Sequence, residues 1–229
     1  MARPRLVTDE AILSTARACV LEQGPGVSLD LVAERLGVST PAILKRFGSR
    51  RALILAALRP PEELPWTREL AEPPTDAPLF DQLQSLFERI LVFFVEEVPC
   101  MSALCESGIP LKELFDSEIP PPPVLGSRAL AHWLSLAKAR GLVEGDDFET
   151  TASAMLGALQ GRVFLRHLFK RAWWKRTERE FVTDLANLFA RALEPRASNG
   201  RKNAPRLKTE TAVRPARRPA SIRTVRGNG

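Results

Sequence analysis

The chain has 229 residues, 45% of them apolar and 26% charged, the balance of an ordinary globular protein long enough for one large domain or two small ones. No apolar run reaches the ~18 residues of a spanning helix, and Arg3 and Arg5 are followed by Asp9 and Glu10 rather than by an apolar signal core, which argues against secretion and for a cytoplasmic protein. The net charge of +6 is unevenly placed: residues 1–59 carry +4, residues 60–195 carry −7 and residues 196–229 carry +9, so polyanion contacts are expected at the two ends only.

In chain order, Thr8 reads as the N-cap of a first helix, with Asp9 and Glu10 in its first turn and Ile12, Leu13, Ala16, Cys19 and Val20 on one apolar face. Gly24-Pro25-Gly26 ends it. Ser28 caps a second helix whose face is Leu29, Val32, Ala33 and Leu36, and Gly37 stops it. A third helix follows at once, capped by Ser39 or Thr40, with Pro41 in its first turn and Ile43 and Phe47 as its buried pair. Ser49 caps a fourth, with Leu53, Ile54, Ala57 and Leu58 inward. Six prolines between Pro60 and Pro78 predict a linker over 60–78. Helix resumes over Leu79–Val98, with a short piece from Ser102 to Phe115. Pro120–Pro123 read as a stiff break, and helices follow over 124–140, 146–170 and 175–193. No stretch alternates like a strand, so the fold class is all-α. From Arg196 the apolar residues thin out, and 196–229 read as a disordered basic tail.

The segment Ser28–Phe47 has the form of a helix-turn-helix. A first helix braces across the nucleic-acid backbone, and a second enters the major groove by its N-terminal half. Ser39, Thr40, Pro41 and Ala42 give that half a small, close-approaching end, and exposed Lys45 and Arg46 reach phosphates or guanine edges. Ser28 joins them as a DNA-binding residue. The stretches Ile12–Ala16, Gly24–Ser28, Val32–Ser39 and Phe47–Leu53 together resemble the N-terminal domain of TetR-type regulators. The resemblance implies a symmetric dimer on a double-stranded operator, released when a small ligand occupies the C-terminal domain. It departs from the family pattern at Leu44, where an aromatic is usual, and at Arg50-Arg51, where Lys-Glu is common. Two cations at a helix N-terminus oppose its dipole, which makes sense if phosphates lie nearby.

Beyond residue 60 the organisation is 79–195 as a helical regulatory and dimerisation domain. Ala154, Gly157, Ala158 and Gly161 form a smooth stripe suited to close helix approach, and the resemblance places the last two helices in a homodimer's four-helix bundle. Tight packing within one subunit is the alternative. Phe93, Phe94, Met101, Trp133, Phe164 and His167 could line a pocket for a hydrophobic effector, or simply form core. No catalytic, metal-binding or cofactor motif is present. His132 and His167 stand far apart, and Cys19, Cys100 and Cys105 lack zinc-site spacing. The rival readings are a non-specific DNA binder driven by the basic tail and an all-α enzyme with an accessory helix-turn-helix.

Overall fold

Residues 7–110, 113–114, 120–169 and 174–195 are described by the structure, a computed structural model. Among them every regular element is helical. Helix α1 (Asp9–Gln23) starts where Thr8 Oγ1 accepts from the Ala11 amide at 3.2 Å. Helix α2 (Leu29–Leu36) is capped by Ser28, whose Oγ accepts from the Leu31 amide at 3.3 Å. Helix α3 (Thr40–Phe47) carries Pro41 in its first turn, and α4 (Arg50–Leu58) begins at Ser49, whose Oγ accepts from the Ala52 amide at 3.1 Å. Their inward faces close one core from Ile12, Ala16, Cys19, Val32, Ile43, Leu53 and Leu58. Phe47, expected to be buried with Ile43, is only half-buried against that core.

The stretch between Pro60 and Pro78 is more than a linker. It forms two 3-10 turns, Pro65–Thr67 and Glu69–Ala71, and sinks Leu64, Trp66 and Leu70 into the second core. Trp66 is 3% exposed. It lies against Gly126, where an added Cβ would stand 2.7 Å from both Leu64 Cδ1 and Trp66 Cη2, so that glycine is there for close approach. Proline density does break regular helix here, but it does not stop the intervening apolar residues from packing.

Helix α5 (Leu79–Glu106) is a single element of 28 residues running through Pro99, where two pieces were expected. Proline removes one backbone donor, which normally bends or ends a helix. Here packing holds both sides. Leu83, Phe87, Ile90 and Val98 lie in the second core, whereas Cys100, Ala103 and Leu104 lie in the first.

The expected stiff break at Pro120–Pro123 is also corrected. Pro122 and Pro123 open α6 (Pro122–Ala139), where an N–H would have had no helical partner. Helix α7 (Phe148–Phe169) begins with the Thr150 amide donating to Asp147 Oδ1 at 2.8 Å. Helix α8 (Glu178–Leu193) opens with a reciprocal Thr177–Glu180 capping box. Leu130, Trp133 and Leu134 of α6, Met155 and Leu159 of α7, and Val182 and Ala186 of α8 complete the second core around α5. The tail 196–229 lies outside the described residues, as does Lys170.

Candidate nucleic-acid interface

The turn between α2 and α3 depends on one residue. Gly37 sits in the left-handed region at φ 65°, ψ 32°, its amide donates to Glu34 O at 3.1 Å, and the Val38 amide donates to Ala33 O at 3.0 Å. A side chain is disfavoured in that conformation. The chain then re-enters helix two residues later. A second brace is the Thr40 hydroxyl, which donates to Asp30 Oδ1 at 2.5 Å and ties the first turns of α2 and α3 together. Ser39 is the N-cap residue by position but makes no side-chain capping bond, so its hydroxyl is not committed to its own helix.

With Ile43 buried, α3 presents Pro41, Ala42, Leu44 and Lys45 outward. Leu44, at 37% exposure, presents an apolar tip of the kind that can pack on a thymine methyl. The four nearby cations differ in what they are already doing. Lys45 is exposed and forms no ion pair among the described residues. Arg46 is drawn back to the start of α1, donating to Val7 O at 2.5 Å and to Asp9 Oδ1 at 3.2 Å.

Arg50, read from sequence as a phosphate contact, is turned inward. Its Nε donates to Val27 O at 2.9 Å and its Nη2 to Pro25 O, clasping the α1–α2 turn. Those carbonyls answer the puzzle of a cation at a helix N-terminus without any phosphate. Arg51 stays on the surface with Glu113 Oε1 at 2.8 Å, a hydrogen bond that raises its pKa above the usual arginine value. Ser28 remains exposed beside its capping bond.

A second surface lies on α7 and α8. Ala154 and Gly157 are exposed, and Ala158 and Gly161 half-buried. A Cβ at Gly157 or Gly161 would meet nothing within 4 Å, so packing inside the subunit does not require either glycine. The same face continues through Phe164 at 45% and Leu168 at 49%, and on α8 Leu188 is exposed at 62%. Sequence reasoning overlooked buried Arg162 between these helices. Its guanidinium stands 4.8 Å from the Trp174 ring centroid and 5.1 Å from that of Phe181, and Nη2 donates to Arg176 O at 2.5 Å. Burial first, and the Arg166 charge second, lower its pKa. The signal was a cation at an otherwise apolar helical position.

The six residues expected to line a pocket are divided between the two cores and the surface. Met101 packs against the first core, whereas Phe93, Phe94 and Trp133 belong to the second. Phe164 is exposed and His167 half-buried. The helical periodicity of α5 gave no sign that it serves two cores. Trp133 does line a groove of about 340 Å³, with Leu70, Leu86, Gln82, Ser85 and Arg89. Among the described residues no group of three or more His, Cys, Asp or Glu could hold a metal ion, and no helix is long and apolar enough to cross a membrane.

Two family patterns match the chain. Residues 12–57 match the bacterial regulatory proteins of the tetR family, and residues 122–194 match the C-terminal domain of AefR-like transcriptional repressors. No curated protein matches in sequence. The fold is similar to a TetR-family regulator from Mesorhizobium loti, at 17% identity and TM-score 0.64 over 82% of this chain and 96% of that one. It is also similar to the flavonoid-responsive regulator FrrA, at 23% identity and TM-score 0.53 over 82% and 98%. A Pseudomonas syringae TetR-family regulator shares 20% identity at TM-score 0.56 over 81% and 96%. These likenesses carry the all-helical fold, and the two matched segments carry the lineage. With a helix-turn-helix at its N-terminal end and a matching C-terminal helical domain, the chain belongs to the TetR family of DNA-binding transcription regulators.

Proposed function

We propose that the chain is a ligand-responsive repressor that acts in the cytoplasm and binds a palindromic operator as a homodimer. The observation that carries this reading is the outward face of α3. Its small N-terminal residues and Leu44 suit close approach to base edges, and Lys45 forms no ion pair among the described residues. Two-fold pairing is supported by the smooth, apolar face that α7 and α8 leave open, since C2 dimers are the commonest oligomers and use one patch twice. The effector is expected to be small and hydrophobic, and the groove beside Trp133 is a candidate place for it, although Glu69, Glu72, Asp81 and Arg89 in its lining favour a ligand that also carries polar groups. Repression rather than activation follows the AefR-like repressor match over 122–194.

Selection of bound fragments from random duplex DNA, followed by sequencing, tests the reading. A two-fold symmetric motif is the expected result. Enrichment of no motif would leave non-specific binding, which the +9 charge of residues 196–229 favours as the second reading. For the dimer, Gly157→Leu should shift sedimentation toward monomer or aggregate, and a parent that sediments as a strict monomer at micromolar concentration would sink that part.

A further inference from the structure

We propose that Arg17 and Glu97 are positioning residues for DNA recognition: their ion pair sets the angle at which the α1–α4 unit stands on α5, and so the distance between the two α3 helices of a dimer. The inference rests on the dimer and operator reading above, and extends it to how the recognition helices are spaced.

Helix α5 is the only element among the described residues that contributes buried side chains to both cores. The change of core falls between Val98 and Cys100, and the residue between them is Pro99, which has no N–H to give the Val95 carbonyl. The backbone ladder is therefore weakest where the two cores meet, the usual cause of a helix bend. Two residues before Pro99 stands Glu97, 8% exposed. Its Oε1 accepts from Arg17 Nη2 at 2.6 Å, and the same nitrogen reaches Glu96 O at 3.4 Å. Arg17 belongs to α1 of the DNA-facing unit, so this contact crosses between the cores beside the weak point.

The pair is poorly arranged for stability alone. Glu97 Oε2 is buried with no hydrogen-bond partner, and a buried carboxylate left half-satisfied offsets much of what its ion pair contributes. An apolar pair would hold two surfaces together as well, but without direction. A charge-assisted bond with a fixed donor and acceptor does impose direction. In a symmetric dimer each subunit repeats any tilt at Pro99, and half-site spacing on DNA follows from the separation of the two recognition helices.

The test is a competition series of duplexes carrying the two half-sites selected by the parent, with the spacer lengthened or shortened by single base pairs. A duplex with one half-site serves as control. The parent should hold one spacing. Glu97→Gln should bind the single half-site as the parent does, because α3 is untouched. Its preference for the parent's spacing should fall by about tenfold, within the range usual for coupled sites. Arg17→Lys, which keeps a cation in reach, should retain the preference. Arg17→Met combined with Glu97→Leu removes both charges and keeps the test available if Glu97→Gln does not fold. It should melt no lower than the parent and lose the preference as well. A folded variant without the pair that keeps the parent's spacing overturns this inference and leaves the operator reading standing. A parent that selects no paired half-sites overturns both.

Discussion

In the α1–α4 unit the helix ends are set by local chemistry. Thr8, Ser28 and Ser49 each cap a helix with a side-chain oxygen, and glycines follow α1, α2 and α3. In α5 and α6 the first residues follow prolines without a side-chain cap, and α5 passes straight through another proline. Packing decides there. The contrast shows how two helical regions of one chain can be specified at different ranges. The first unit is punctuated residue by residue, and the second is held by contacts far apart in sequence, such as Trp66 on Gly126.

The largest test of that contrast is Trp66→Ala. If contacts distant in sequence hold the second core, removing this buried ring should cost about 3–5 kcal/mol and lower the melting temperature sharply. A change near zero would mean that 60–78 is a loose connector after all. Phe47→Ala comes next. Because Phe47 is half-buried, the loss should be about 2 kcal/mol, below the full ~3–5 of a core aromatic. Circular dichroism melting separates the two values, and a loss as large as that of Trp66→Ala would place Phe47 in the core.

A smaller effect should divide two neighbouring cations. Lys45→Ala should leave the melting curve alone and weaken DNA binding, lowering the salt slope by about one if the contact is to phosphate. Arg46→Ala should also lower stability slightly, by less than about 1 kcal/mol, because it gives up Val7 O and a mostly exposed pair with Asp9. Identical behaviour of the two variants would contradict their different partners. The smallest expected effect is truncation after Pro195. Residues 196–229 hold ten Lys/Arg against the single acid Glu210. Their loss should weaken operator and random DNA by similar factors and flatten the salt dependence by about 0.9 per phosphate contact removed. Coincident slopes for both lengths would mean that the tail touches no DNA.

What could be read in the sequence follows the same division. Caps, glycines and i, i+4 faces are short-range signals, so α1–α4 and the helix-turn-helix were legible almost residue by residue. The capping box that begins α8 belongs to the same class of signal. Pro99 and Pro122-Pro123 misled because a proline reports only its missing N–H, while tertiary packing decides whether the helix continues or begins there. Arg50 misled in another way. A cation at a helix N-terminus looks unpartnered until the turn at Pro25–Val27 folds back to offer its carbonyls. Likewise, no spacing rule could tell that Met101 and Trp133 lie in different cores, since both fall on correct helical faces.

Whether α3 reads a specific DNA sequence is decided by equilibrium titration at one fixed salt concentration. Fluorescence anisotropy would compare the selected palindrome with a scrambled duplex of the same length and composition. A preference of about 10³-fold or more for the palindrome is expected, the usual margin of specific over non-specific binding, and Gly37→Val, whose side chain is disfavoured in the left-handed turn, should lose it. Equal affinity for the two duplexes would contradict sequence reading by α3.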